Sequence, residues 1–220
     1  MDQDLIDTFT DITVRSQPVL FTAENIQYFL MEYEKFGKPF PYVIKSFHDL
    51  YLEKGSKTIA EFAIDLITTI SRCCGSSITL EYIQEQLLEL FTSPRFDAIF
   101  IFDKKQLLKG TIIVADNQCK LRPNIFSVQL ICSNENMLRS LHFSENQFGS
   151  VGSILLGVFL LLVKKNGMET AILEIAKSYL NVKAYCLYTK FGFRYNPELY
   201  GTLLKEKQPY ISEKDKKKTI

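Results

Sequence analysis

The segment Asn181-Val-Lys-Ala184-Tyr-Cys-Leu187-Tyr188-Thr-Lys190-Phe-Gly192-Phe193 holds the residue types best suited to chemistry. Asn181, Ala184, Leu187 and Tyr188 fall at i, i+3, i+6 and i+7, which is one face of a helix. That face offers an amide, a very small residue, an apolar anchor and a phenol, where a structural helix more often shows aliphatics only. A phenol has a pKa of about 10, near that of an alkyl thiol, so Tyr188 can hand a proton to a thiolate leaving group. Asn181 also suits a helix N-cap, and Ala184 leaves room for close approach. Gly192 reads as the left-handed residue that closes the helix. Leu187 and Phe193 read as core, and Lys190 suits a helix C-terminus.

A second constellation precedes the most apolar run of the chain: Gln147-Phe148-Gly149-Ser150-Val151-Gly152-Ser153. A glycine-containing turn that opens a helix gathers backbone N–H groups at the positive end of the helix dipole. That is an anion site fitted to a pyrophosphate, and a Cβ at the glycines would hold phosphate away from the amides.

The pattern N-x-x-A-x-x-L-Y-x-K-x-G-F from Asn181 to Phe193 resembles the second cofactor motif of the Gcn5-related N-acetyltransferase (GNAT) superfamily. The first motif of that family, R/Q-x-x-G-x-G/A, is similar to Gln147-x-x-Ser150-x-Gly152, with Ser150 at the usual middle glycine and no loop arginine. The resemblance covers roughly residues 97–195. It implies a mixed, mostly antiparallel sheet in which two neighbouring parallel strands splay apart, with acetyl-CoA (or another acyl-CoA) in the notch. It further implies that the backbone of Gln129, Leu130, Ile131 and Cys132 pairs with the pantetheine arm. Residues 147–153 would hold the pyrophosphate. Asn181 and Ala184 would flank the arm, and Tyr188 would be general acid to the thiolate, with the thioester between that strand and Tyr188. The acceptor is then an amine, on a small molecule or a protein, attacking directly. Glu174 is a candidate general base, beside Glu145, Asp116 or a water chain. The other reading from the same family is a non-catalytic scaffold that binds CoA weakly or not at all.

The elements that must position these residues can be read from periodicity. The chain is expected to be α/β (α+β) in class, with a helical N-terminal region ahead of the sheet. Helices are expected from Thr22 to about Phe36, Val43 to Leu52, Ile59 to Cys73 and Leu80 to Phe91, each bounded by Gly or Pro. A short strand near Ile12–Arg15 or Val19–Phe21 is an alternative within this region. Asp97–Phe102, Gly110–Ala115 and Asn124–Cys132 read as an antiparallel meander. Val151–Val163 reads as a crossover helix buried on the sheet, leading to a parallel strand at Thr170–Ala176. The organisation expected is a helical region 1–95, a GNAT-like core 96–204 and a charged flexible tail 205–220. After Phe193, Pro197 and Pro209 interrupt two marginal strands, so the last strand is short, missing or supplied by a partner chain, which would make a homodimer.

The net charge is +1, with 46% hydrophobic and 23% charged residues among 220. That balance supplies no field to attract nucleic acid or an anionic membrane, and Val151–Val163 is too short to span a bilayer. The five cysteines include no C-x-x-C pair, and the two histidines, His48 and His142, stand isolated. The expectation is reduced thiols in a cytoplasmic, intracellular protein without a metal site.

Overall fold

A computed structural model of the chain describes residues 3–15, 17–35, 37, 39–75, 78–116, 125–133, 150–168, 170–173 and 182–194. In chain order the elements are α1 (Gln3–Thr10), α2 (Ala23–Glu34), β1 (Val43–Ser46), α3 (Phe47–Glu53), α4 (Ile59–Cys74), α5 (Leu80–Thr92), β2 (Phe96–Phe102), β3 (Leu108–Asp116), β4 (Ile125–Ser133), α6 (Val151–Lys165), β5 (Thr170–Leu173) and α7 (Val182–Lys190). Two compact units divide them, Met1–Ile175 and Ala176–Ile220.

Helix starts follow from short polar side chains that take an otherwise orphaned N–H. Thr22, Ser46, Thr58, Thr79 and Ser150 are N-caps, each accepting from the backbone N–H three residues on;. At α3 and α4 the side chains of Asp49 and Glu61 reach back to the cap residue and complete a capping box;.

The sheet of the first unit has the order β1-β2-β3-β4-β5. β1 to β4 pair antiparallel in succession, and β4 and β5 are parallel, joined through α6. Apolar side chains cover both faces. Phe9, Phe47, Phe62, Ile70, Leu87 and Phe91 of α1, α3, α4 and α5 pack with Ala98, Phe100 and Ile113 on one face. Ile26 and Phe29 of α2, with Ile154, Leu155, Val158, Phe159 and Leu162 of α6, pack with Ile99, Ile101, Ile112 and Val114 on the other. Strands covered on both sides read as continuous apolar runs, which is the character of Ala98–Ile101 and Ile112–Ala115, all buried;. The apolar helix α6 is therefore a core helix, as its length and composition indicated.

Three expectations need correction. Val43–Ser46 is strand β1, paired from Val43↔Phe102 to Ser46↔Ile99, and not the first turn of a helix. Its β-branched Val43-Ile44 pair favours the extended form, and Ser46 then caps α3. Neither Ile12–Arg15 nor Val19–Phe21 is a strand. The N–H groups of Val19, Leu20 and Phe21 all donate to Asp97 Oδ2, at 2.9, 2.8 and 2.7 Å, in place of a neighbouring strand. Asp97 is 1% exposed, and its Oδ1 takes the Ala98 N–H. Finally, the thiols are not all reduced: Cys74 at the end of α4 and Cys132 on β4 form a disulfide, with Cα atoms 5.1 Å apart, inside the range that two cysteines can bridge. Neither the sequence separation of 58 nor the spacing of the cysteines signalled it.

Candidate functional site

β4 carries the residues expected to meet the acyl carrier. Its pairing with β3 runs from Asp116↔Phe126 to Val114↔Val128 and resumes at Ile113↔Leu130, so Gln129 is an extra residue, a β-bulge;. One inserted residue reverses which face later side chains occupy. Phe126 and Val128 belong to the core under α2 and α6, whereas Leu130 and Cys132 belong to the core under α4 and α5. The bulge is thus what turns Cys132 toward Cys74. Pairing of β4 with β5 is described from Ile125↔Thr170 to Val128↔Leu173 and reaches the bulge.

Polar groups gather at that point. The Tyr82 hydroxyl of α5 donates to the Gln129 carbonyl at 2.6 Å. Gln129 Nε2 donates to Ser127 Oγ on the same strand. One turn along α5 from Tyr82, Gln86 is 6% exposed, and its Oε1 has no hydrogen-bond partner among the described residues.

α6 opens beside this strand. Ser150 is its N-cap: the Ser153 N–H donates to Ser150 Oγ at 3.1 Å, and the two hydroxyls lie 2.9 Å apart. Ser150 therefore has a local structural role, since it closes the first turn of the helix. Val151, Gly152 and Ser153 are buried. Gly110 on β3 makes the close approach possible. A Cβ there would stand 2.6 Å from Val151 Cγ1, 2.9 Å from the Cys132 carbonyl oxygen and 3.0 Å from Leu155 Cδ1;. Gly110 thereby seats the N-terminus of α6 against β3 and β4.

In the second unit, Tyr188 on α7 is 7% exposed, with its ring edge-on to Phe193 at 6.3 Å. Burial pushes the phenol up to about 12, so it stays protonated through the neutral range. Gly192 has φ +88°, the left-handed conformation expected of the residue closing the helix;. The Phe193 N–H returns to the Tyr188 carbonyl at 3.1 Å. Ala184, Leu187 and Phe193 are half-buried, and Lys190 is exposed.

Of the residues read from the sequence, Gln129, Leu130, Ile131 and Cys132 lie on β4 and Val151, Gly152 and Ser153 in the first turn of α6, with Ser150 capping it. Ala184 and Tyr188 lie in the second unit. Gln147, Phe148, Gly149, Glu174 and Asn181 fall outside the described residues. Sequence reasoning missed Tyr82, Gln86 and Gly110. A glycine inside a strand pattern is itself a sign of close backbone approach, so Gly110 carried a signal. Tyr82 did not.

No family model matches the chain, and no curated protein matches it. Among solved structures it is similar to an aminoglycoside antibiotic 6'-N-acetyltransferase from Acinetobacter baumannii, at 12% identity and a TM-score of 0.45 over 70% of this chain and 91% of that one. An aminoglycoside acetyltransferase from an uncultured soil metagenomic sample, in complex with sisomicin, gives 13% identity and 0.44 over 71% and 91%. A ribosomal-protein-alanine N-acetyltransferase from Brucella melitensis biovar Abortus 2308 gives 13% and 0.43 over 70% and 93%. The chain's own sheet is antiparallel through β4 and then has one parallel pair bridged by a helix, the mixed, mostly antiparallel arrangement expected from the sequence.

Proposed function

We propose that this protein is an acyl-CoA-dependent N-acyltransferase, with acetyl-CoA as the acyl donor and an amine as the acceptor. The observation that carries the reading is the parallel β4–β5 pair joined by α6, with a capped, small-residue first turn seated by Gly110 next to the bulged strand. The donor set fits the group. The N-terminus of a helix of 15 residues presents the positive end of a dipole to phosphate, and Gly152 adds no side chain there. β4 offers strand backbone to an extended, amide-containing arm.

Bound acetyl-CoA supplies an activated acyl group as a thioester. Residues 147–153 would hold the pyrophosphate, and Gln129–Cys132 would align the arm. The acceptor nitrogen forms its bond to the acyl carbon as the carbon–sulfur bond breaks. In this reading Tyr188 would supply the proton that the sulfur needs, and Glu174 or water would take the proton that the amine loses. The acceptor is a small molecule or a protein terminus or side chain; each presents the same nucleophile.

The test is calorimetric titration of the purified protein with acetyl-CoA, beside Gly152→Glu, with circular dichroism melts to confirm that both are folded. Micromolar binding that Gly152→Glu abolishes is the expected result. A folded wild-type protein that takes up no acetyl-CoA overturns the reading and leaves a scaffold.

A further inference from the structure

Cys132 is held from two sides. Its side chain is bonded to Cys74, the last residue of α4. Its carbonyl oxygen stands 2.9 Å from the place of a Gly110 Cβ, a place that Val151 in the first turn of α6 also borders. One residue therefore joins the end of α4 to the strand backbone and helix turn assigned above to the acyl carrier. Past the bulge, β4 pairs with β3 from Leu130 to Ser133, whereas its described pairing with β5 ends at Val128↔Leu173. Among the described residues, then, Leu130–Ser133 is paired along one edge, and the disulfide is a covalent restraint on that segment.

Two features suit the bond to reversal. Cys74 and Cys132 are 9% and 8% exposed, whereas Ile70, Ile83 and Leu87 of the same core are fully buried, so the pair lies toward the rim of that core. Cys74 also ends its helix, where Gly75 turns the chain at φ +60°, and helix ends open more readily than helix middles. The second feature is that this core already holds a thiol, the buried Cys73. A reduced cysteine packs as a small apolar side chain, so the two thiols left by reduction keep the core filled and the chain folded.

We propose that the Cys74–Cys132 bond is a redox switch on acyl-CoA binding: oxidised, it holds the end of β4 in the geometry the acyl carrier needs, and reduced, it releases that end. The inference rests on the acetyl-transfer reading above. The reductant is a dithiol. One of its thiolates attacks a sulfur of the pair and the S–S bond breaks. The dithiol then closes on itself as a disulfide, and its two protons and two electrons end on Cys74 and Cys132 as thiols. A segment fixed beforehand loses less freedom on binding, so the oxidised form binds more tightly. The coupling is reciprocal, and bound acetyl-CoA shifts the dithiol–disulfide equilibrium toward the oxidised protein by the same factor.

The experiment titrates the full chain with acetyl-CoA by calorimetry in two states: oxidised, and treated with dithiothreitol that is then removed under anaerobic conditions. Alkylation and mass spectrometry verify each state, and circular dichroism verifies folding. The dissociation constant should be about tenfold higher for the reduced protein and should return on reoxidation. Cys74→Ser should bind like the reduced protein and ignore dithiothreitol. A readout without ligand accompanies the titration: on reduction, amide exchange at Leu130–Ser133 quickens more than at Ala98–Ile101. Equal affinities in the two states overturn the inference. A bond that dithiothreitol cannot reach, or whose reduction unfolds the chain, is a structural staple and overturns it as well. Unchanged exchange at Leu130–Ser133 overturns it whether or not the protein binds acetyl-CoA. A protein that takes up no acetyl-CoA in either state overturns the acetyl-transfer reading itself, and the ligand-free exchange keeps the two failures distinct.

Discussion

Tyr188 shows how burial suits a residue to one half of proton transfer. A phenol near pKa 12 carries its proton at every physiological pH, so the acid is always loaded, although it releases that proton less readily than a free phenol does. If Tyr188 protonates the leaving sulfur, Tyr188→Phe lowers kcat about a hundredfold while leaving acetyl-CoA affinity intact, and the loss is the same at each pH across the neutral range. Steady-state rates over that range check it; an unchanged kcat removes Tyr188 from the mechanism. The same shift has a stability consequence. Between the unfolded value of about 10 and the folded value of about 12, the native state holds a proton that the unfolded chain has lost. Stability therefore falls as pH rises through that window, by up to about 1.4 kcal/mol per unit, and is unaffected below it. Urea unfolding from pH 9 upward should show this slope, and Tyr188→Phe should lack it. The places of Tyr188, Ser150 and Gly152, on α7 and at the start of α6, were legible in the sequence because they follow from spacing within one helix or one turn. The Tyr82–Gln129 contact joins residues 47 positions apart, and Asp97 holds three N–H groups more than 75 positions away. No local pattern encodes either.

The fit between β3 and α6 depends on the absence of a single methyl group. Gly110→Ala would place that methyl 2.6 Å from Val151 Cγ1 and 2.9 Å from a backbone carbonyl, so the first turn of α6 must lift from the sheet. The expected cost is about 1–3 kcal/mol in thermal or urea unfolding, together with weaker acetyl-CoA binding by calorimetry, because the displaced turn is the one assigned to the pyrophosphate. A destabilised variant with wild-type affinity would separate that turn from binding. Most elements were readable because a periodicity and a stop signal agreed: α4, α5 and α6 begin and end within about two residues of expectation, the usual scatter of helix ends;. β1 escaped because its four residues run straight into α3, and its last residue, Ser46, is also that helix's cap. Strand and helix signals overlap there within less than one turn.

At the scale of the whole chain, the sheet of the first unit separates two apolar cores, and the bulge in β4 decides which of them each later side chain joins. That one-residue insertion sets Cys132 against Cys74. Counting cysteines could not find the pair, because pairing depends on which face a strand residue occupies, and the bulge changes that face without leaving a mark in composition. Closing a loop of this length, with separation 58, stabilises the native state by up to about 4 kcal/mol on chain entropy. Urea midpoints with and without reductant should differ accordingly, and Cys132→Ser should match the reduced protein. Alkylation of the unfolded, unreduced protein should leave Cys74 and Cys132 unlabelled, and prior reduction should expose both.

The bond also makes a closed ring of the stretch that holds α5, β2 and β3. A protease that nicks any turn inside the ring, such as the exposed one at Lys104–Lys105, opens the chain without dividing the molecule. The nicked protein would migrate as a single species on a non-reducing gel and fall into two fragments only after thiol treatment, whereas a nick outside the ring would release a fragment at once.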